Sequence, residues 1–393
     1  MKRIIILSAI IILGISVNAN DFDNALFEII SNNPTLAASN AENEAEINEL
    51  KSENNLPDPE IGYEHKWGKE GAKWGIDINQ SFEWPGAYSA RKKAINSTSE
   101  AFKYLNKSNY LNKLVEIKLL LIDIINIHKQ ISLVSQLESQ IDSLTLKYQQ
   151  GSKQGEVTIL DLNKLKIEKI ALTQQNKELK NQLNNLKSTL LVENGGNDIS
   201  SILAHLNSYP DETILSTEKY EELFREYDPE IAQYSSISKA QEYNSKALNM
   251  SKFPSFSLGY KLENELGTYF NGFSVGISIP AFSKRHKKES IMAIQKVVSL
   301  QSNVLEIEKI AQINVLRTNA ISLFQEMEEY RPTLEDTNNI KLLKKALDGG
   351  QINLITYIQE VNFFLKAQQN FIDLEYRYYQ TLASLNKYTL LQK

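Results

Sequence analysis

Few residues of this 393-residue chain have the spacing that enzyme or metal chemistry requires. The chain has no cysteine, and no two of its four histidines stand four residues apart, the spacing by which a helix presents two ligands to zinc. The histidines and the internal methionines are His65, His128, His205, His286, Met250, Met292 and Met327. No phosphate-binding glycine loop, nucleophile elbow or Cys–His pair occurs. We therefore predict no catalytic residue, no metal site, no cofactor and no enzyme activity.

Residues 1–19 predict a secretory signal peptide. A basic pair, Lys2-Arg3, precedes an apolar run at 4–17, and Val-Asn-Ala at 17–19 resembles a small-residue cleavage site. The run is shorter than the about 20 apolar residues of a spanning helix. Without cysteine the chain forms no disulfide and carries no lipid anchor. No run of 18 apolar residues follows, so any crossing of a membrane would require strands.

The sequence repeats itself. Three landmarks recur 195 residues later and a fourth recurs 197 residues later. The pairs are Pro34 and Pro229, Pro85 and Pro280, Gly155 and Gly350, and Pro57 and Pro254. We therefore predict two copies of one unit, at 20–192 and 226–393, joined by a linker at 193–225 that contains the helix-breaking residues Gly195-Gly196 and Pro210.

Each copy contains one predicted β-hairpin, at about 59–84 and about 255–280. In the first strand Ile61, Tyr63 and Trp67 share a face, and small or charged residues share the other. Such alternation over about nine to eleven residues is typical of transmembrane β-strands, but an amphipathic sheet packed on a soluble core has the same pattern. Because about eight strands are needed to close a barrel, a barrel built from four strands per chain requires several protomers.

Aromatic and basic residues cluster around the predicted hairpins. Aromatic side chains near strand ends suit a membrane–water interface. The predicted interface residues are Tyr63, Trp67, Trp74, Trp84, Tyr260, Tyr269 and Phe270. Basic runs at 91–93 and 284–288 follow the two hairpins. The formal net charge is −5, and it becomes −7 without residues 1–19, so we predict no nucleic-acid partner and interpret the runs as structural groups that meet phosphates or cap an interface.

Long helices follow the hairpins. The first, at about 88–150, contains no proline or glycine and predicts a rod of roughly 90 Å. The second, at about 284–347, is interrupted only by Pro332. Such lengths imply coiled-coil packing. With returning helices at about 156–192 and 351–390, the predicted fold class is mainly α with a small β part, in which a unit of helix, hairpin, long helix and helix is duplicated.

The ordered landmarks resemble those of the TolC-like outer-membrane efflux proteins. They are Asn33-Pro-Thr-Leu, Leu56-Pro-Asp-Pro, Ser81-Phe-Glu-Trp-Pro-Gly, Tyr148-Gln-Gln-Gly, Gly155-Glu-Val-Thr-Ile-Leu-Asp and Gly350-Gln-Ile-Asn-Leu-Ile. The resemblance covers essentially the whole chain after residue 19. The Trp-Pro-Gly form at 84–86 is most similar to the branch of heavy-metal and multidrug channels that work with inner-membrane pumps of the resistance–nodulation–division type.

The resemblance implies a homotrimer in the outer membrane of a Gram-negative bacterium. Its protomers would share one transmembrane β-barrel, surrounded by outer-membrane lipid, and one periplasmic coiled-coil α-barrel, which meets a periplasmic adaptor (membrane fusion) protein and an inner-membrane pump. The two helical turns would form the periplasmic tip and gate. The implied tip residues are Gly151, Gly155, Asp161, Gly349, Gly350 and Thr356.

Gates of this family are often lined by acidic residues. Asp161 matches such a position, whereas the second copy has Thr356, so the acidic feature is half kept. An exposed helix carboxylate without a role in the gate explains Asp161 equally well. The predicted function is passive export of small molecules or metal cations. Two alternatives stay open, a channel for type I protein secretion and a periplasmic coiled-coil scaffold with no channel.

Overall fold

The computed structural model describes residues 21–69, 71–280, 286–335 and 339–392. The predicted signal peptide and two members of the second basic run, Lys284 and Arg285, lie outside the described residues. The described chain is mainly helical with one small antiparallel sheet, which confirms the predicted fold class.

In the first repeat, helices lead into a hairpin, and a very long helix and a returning helix follow. The elements are α1 Asp21–Ser31, α2 Pro34–Ser52, β1 Glu60–Gly68, β2 Gly71–Phe82, α3 Pro85–Gln154 and α4 Ile159–Glu193. α3 is continuous over 70 residues. It begins at Pro85, because the fixed φ of proline suits the first helical position and its missing N–H would have no helical acceptor there.

The predicted second repeat also places a helix before a hairpin and long helices after it, and it has additional short helices. Its elements are α5 Ser200–Ala204, α6 Thr217–Tyr227, α7 Pro229–Met250, β3 Ser255–Glu265, β4 Thr268–Ser278, α8 Lys287–Glu335, α9 Asn339–Asp348, α10 Leu354–Leu385 and a 3₁₀ helix, Lys387–Leu391. Pro332 lies inside α8, near its end. Proline removes one helical hydrogen bond and crowds the preceding turn, yet α8 continues through Pro332 to Glu335.

The four strands form one antiparallel sheet in the order β1-β2-β3-β4. Each neighbouring pair is hydrogen-bonded along most of its length, including β2 with β3, which belong to different repeats. The two hairpins, far apart in sequence, therefore build one surface.

The chain divides into two compact units that cut across the sequence repeats. One unit contains the residues up to Pro34, Leu114–Ile214 and Asn319–Ser384, and therefore holds both helical turns that follow the long helices. The other contains Thr35–Lys113, Leu215–Thr318 and Leu385–Lys393, and therefore holds the whole sheet. The repeat boundaries stay a prediction from the sequence.

The core of the first unit is centred on one segment of α3. Ile117, Leu121, Ile122 and Ile124 are fully buried there. Tyr209 stacks on Tyr379 of α10 with ring centroids 4.3 Å apart. Full burial of a large apolar side chain stabilises the folded state by about 1.5–3 kcal/mol.

Polar contacts are buried within the same core. Lys118 of α3 forms an ion pair with Glu212, and their side chains are 1% and 10% exposed. The Tyr376 hydroxyl donates a hydrogen bond of 2.8 Å to Asp123. Burial raises the pKa of the Asp123 carboxyl, although the hydrogen bonds from Tyr376 and Gln380 act in the opposite direction. These contacts fix the register of α3 against α10 and the connecting stretch.

In the second unit, the C-terminal 3₁₀ helix packs on the start of α7. The Asp228 side chain caps α7 by accepting the backbone N–H of Glu230 at 2.8 Å, and it also accepts the Tyr388 hydroxyl. Tyr220 donates to Asn386 at 2.6 Å. Burial, followed by the nearby Asp228 carboxylate, raises the pKa of Tyr388. The Asp228 side chain thus connects the first turn of α7 to the C-terminal 3₁₀ helix.

None of the described helices combines the length and hydrophobicity of a membrane-spanning helix.

We expect Lys118→Ala to lower the free energy of unfolding by about 3–5 kcal/mol, because Glu212 then stays buried without this cation. The measurement is chemical denaturation of the purified protein, followed by circular dichroism. The double change Lys118→Met with Glu212→Leu recovers most of the loss, since no buried charge remains. Lys177→Ala, at an exposed lysine of α4, is the matched control and changes stability by less than about 0.5 kcal/mol. A loss for Lys118→Ala no larger than the control's would contradict the account.

Candidate functional site

One face of the sheet is apolar across all four strands. Residues that face each other in an antiparallel register point to the same side. Ile61 pairs with Ile78, Ile78 with Tyr260, and Tyr260 with Phe273, which gives one continuous row. Parallel rows run from Tyr63 through Ile76 and Leu262, and from Leu258 to Val275. The apolar residues that alternate along each predicted strand therefore lie together on one face of the four-stranded sheet.

This apolar face is open to its surroundings. Phe273 is 89% exposed and Trp67 82% exposed. Ile61, Val275 and Ile277 are exposed as well. A contiguous exposed apolar surface of this kind marks a membrane or protein contact. A sheet that packed this face on a soluble core would bury these side chains, whereas they are exposed.

The sheet also has two open edges. β1 and β4 each pair with one strand among the described residues, so the outer backbone N–H and C=O groups of each strand lack a ladder partner there. In a membrane such groups require further strands, because lipid cannot supply hydrogen bonds. Within one chain, the edge strands of the described sheet therefore keep backbone groups without a ladder partner.

The opposite face of the sheet is polar. Asp77 and Lys261 lie between Gly62 and Gly272 in one row. Lys73 forms ion pairs with Glu263 at 3.7 Å and with Glu265 at 3.4 Å, and Lys261 pairs with Glu263 at 2.6 Å. Charges and glycines on this face suit contact with water.

The predicted interface aromatics fall into separate groups. Tyr63, Trp67, Trp74, Tyr260 and Tyr269 lie on the apolar face, where Trp74 meets Tyr269 edge to face at 6.2 Å. Phe270 pairs with Glu263 in the register and therefore lies on the polar face. Trp84 follows β2 and stacks on Phe253 at 5.2 Å, a partner that the sequence analysis did not identify.

The predicted tip glycines lie at two turns of matching geometry. Gly155 has φ +77° and Gly350 has φ +68°, a left-handed conformation that glycine adopts without strain. After α3, the N–H groups of Gly155 and Glu156 reach back to carbonyls of Ser152 and Gly151 at 3.3 and 2.9 Å. After α9, the N–H of Gly350 donates to the Leu347 carbonyl at 3.1 Å, and the N–H of Gln351 donates to the Ala346 carbonyl at 2.8 Å. Both ends are Schellman motifs.

The residues that follow these turns cap the returning helices. The Thr158 hydroxyl accepts the N–H of Asp161 at 3.1 Å and donates to its carboxylate at 2.7 Å. Asn353 accepts the N–H of Thr356 at 2.9 Å. Asp161 and Thr356 therefore occupy the same third helical position, and each has a structural role there. The spacing Thr-x-x-Asp at 158–161 is a sequence signal for this cap.

Gly151 and Gly349 lie one turn or less from the left-handed glycines. A Cβ on Gly151 would meet Val157 at 3.4 Å, and a Cβ on Gly349 would meet the Lys345 carbonyl oxygen at 3.2 Å. The contact at Gly349 is tight for a Cβ, whereas the contact at Gly151 is an ordinary van der Waals distance.

An ion pair connects the two turn regions directly. Lys147 Nζ of α3 lies 2.7 Å from Asp348 Oδ1 at the end of α9. The hydrogen bond that Lys147 donates to Asp348, and then the charge of Asp348, raise the pKa of Lys147. Tyr357 is fully buried, and this burial raises its pKa. The charge of Asp348 raises the pKa of Tyr357 further. Neither Lys147 nor Asp348 was among the residues predicted for the tip.

No group of three or more His, Cys, Asp or Glu side chains in the described ranges is arranged to hold a metal ion. His128 is half-buried on α3, and burial lowers its pKa, so it stays neutral near pH 7. The candidate functional features are therefore the exposed sheet and the paired turns.

No protein-family model and no curated protein matches this sequence, but solved structures do. A membrane protein from Pseudomonas aeruginosa matches with a TM-score of 0.76 at 13% identity, over 94% of this chain and 92% of that chain. The open-state MtrE outer membrane channel of Neisseria gonorrhoeae matches with 0.73 at 12% identity, over 94% and 89%. The CmeC outer membrane channel of Campylobacter jejuni matches with 0.72 at 15% identity, over 94% and 85%.

These matches extend over nearly the whole of this chain and most of each similar structure. They share the helical architecture with a small antiparallel sheet that the sequence predicted. The chain therefore has the fold of the TolC-like outer-membrane channels.

Proposed function

We propose that this protein is the outer-membrane exit channel of a tripartite efflux pump in a Gram-negative bacterium. It would conduct small molecules or metal cations passively from the periplasm to the exterior, with energy supplied by the inner-membrane partner. The observation that carries the proposal is the exposed apolar face of a sheet whose edges are open. A coiled-coil scaffold has no use for such a face in water.

The open edges support a homotrimer. Four strands from each of three protomers would give twelve, above the about eight that close a barrel. Closure would pair β4 of one protomer with β1 of the next and satisfy both edges. The apolar face would meet outer-membrane lipid, and the face with Asp77 and Lys261 would line a water-filled lumen.

The paired turns support a gate at the two ends where a long helix gives way to a returning helix. The Lys147–Asp348 pair is exposed, with side chains 65% and 41% accessible, so it holds the turns together only weakly. A weak contact between ordered helix ends suits a two-state change of packing. A periplasmic adaptor that binds these turns would shift the equilibrium towards the open state.

Arginine on the apolar face tests the membrane assignment. We expect Phe273→Arg to reduce the amount of folded protein in the outer membrane, because arginine facing the bilayer midplane costs about 2–4 kcal/mol. The measurement is the amount of heat-resistant, folded protein in the outer-membrane fraction of expressing cells.

Phe270→Arg is the matched control. Phe270 is an exposed aromatic residue of the same strand, but it lies on the polar face, where arginine meets water. We expect this variant to accumulate as the wild type does. Equal tolerance of arginine at positions 273 and 270 would overturn the lipid-facing assignment.

Charge reversal at the turns tests the gate. We expect Asp348→Lys to raise the open probability in planar-bilayer recordings by up to about fivefold per pair, because repulsion from Lys147 replaces an exposed attraction. The exchanged pair, Lys147→Asp with Asp348→Lys, restores the attraction and the wild-type open probability. If the exchanged pair stays as open as the single variant, the ion pair does not hold the gate.

A further inference from the structure

Two lysine pairs occupy equivalent positions after the two hairpins. Lys92 and Lys93 stand seven and eight residues after Pro85, and Lys287 and Lys288 stand seven and eight residues after Pro280. All four side chains are exposed. Among the described residues none of the four forms an ion pair, whereas the sheet lysines Lys73 and Lys261 do. The ammonium of Lys93 lies over the Tyr243 ring of α7, 5.9 Å from its centroid. The four cations near the ends of the strands thus have no acidic partner among the described residues.

One cavity brings the two segments together. A space of about 400 Å³ is bordered by Arg91 from α3 and Lys287 from α8. Asn244 and Ser251 add polar groups, and Leu248 and Ile291 give the cavity an apolar wall. Glu83 also borders this space and pairs with Arg91 at 3.0 Å, which leaves Lys287 as the cation of the rim without an acidic partner among the described residues. A polar rim with this cation over an apolar wall fits a molecule with an anionic head and a hydrocarbon body.

Aromatic residues mark the level of this rim. Trp84 stacks on Phe253 at 5.2 Å and lies 6.1 Å from Phe256, where the strands meet the helices. Trp84 and Phe253 are both partly exposed. Lys252, also exposed, adjoins Phe253. Aromatic rings beside long cationic side chains are typical of a bilayer's headgroup region.

Helix geometry directs the lysines towards the sheet. Side chains on an α-helix lean towards its N-terminus, and α3 and α8 both begin at the foot of the sheet. Lys92 lies roughly 10 Å along α3 from Pro85, so in the proposed membrane its ammonium would lean back towards the headgroup layer. The entry to β1 carries the acidic residues Glu53, Asp58 and Glu60, none of which pairs with these lysines among the described residues.

We propose that Lys92, Lys93, Lys287 and Lys288 form a collar that binds the phosphate groups of anionic phospholipids in the periplasm-facing leaflet. The proposal rests on the proposed outer-membrane channel, whose trimer would repeat the collar around the barrel. Each lysine near an anionic bilayer surface strengthens the attraction by about fivefold. The collar would hold the barrel at a fixed depth in the membrane.

The test is lipid retention by the full-length protein in nanodiscs. Phosphatidylglycerol and phosphatidylcholine are supplied at one to three, and the lipids that stay bound after transfer to detergent are counted by native mass spectrometry. We expect the wild type to retain phosphatidylglycerol preferentially. Replacing all four collar lysines by glutamine lowers that preference by about tenfold or more. Replacing them by arginine preserves it and shows that the positions tolerate substitution.

The matched control replaces four other exposed lysines by glutamine, namely Lys166, Lys177, Lys341 and Lys344. It removes the same charge from the chain and should retain the wild-type lipid preference. If the collar glutamine variant keeps that preference, or the control loses it equally, the collar is wrong although the channel proposal stands. If no form of the protein inserts into nanodiscs, the channel proposal fails and the collar fails with it.

Discussion

The exposed apolar face of one incomplete sheet is the constraint on which the rest of the structure depends. Phe273 and Trp67 are almost fully exposed, and both edge strands have unused backbone groups among the described residues. Lipid would cover the face, and neighbouring copies would complete the edges. The polar face, with its glycines and Lys73–Glu263 ion pairs, then becomes a water-filled interior. Long helices starting at the foot of this sheet would continue the same path away from the membrane.

Burial separates the rigid parts of the chain from the part proposed to move. Lys118 and Glu212 form an ion pair inside the core, where losing one partner would leave an unneutralised charge. Lys147 and Asp348 form a pair of the same chemistry at the turns, but solvent screens it. Schellman glycines and capped helix starts keep each turn ordered while this contact breaks. In the proposed gate, the turns would therefore separate without unfolding.

Local patterns in the sequence predicted the fold well, because strand alternation and helix length are local properties. The alternation around Ile61 and Tyr63 predicted the first hairpin, and the Gly155–Gly350 repeat predicted equivalent turns. Phe270 shows where the pattern was insufficient, since only the strand register places it beside Glu263. The Lys147–Asp348 pair was missed because its members are 201 residues apart. Asp161 could have been recognised as a capping residue from Thr158, three positions earlier.

The central claim is that several copies of this chain share one barrel in the outer membrane. The most direct measurement is membrane fractionation of the expressed protein, followed by its mass in mild detergent. The account predicts outer-membrane protein with the mass of a trimer of a chain whose full sequence weighs 44.7 kDa, less the residues of the predicted signal peptide. A monomer or dimer that leaves the membrane without detergent would contradict it, because the sheet would then have neither lipid for its face nor strands for its edges.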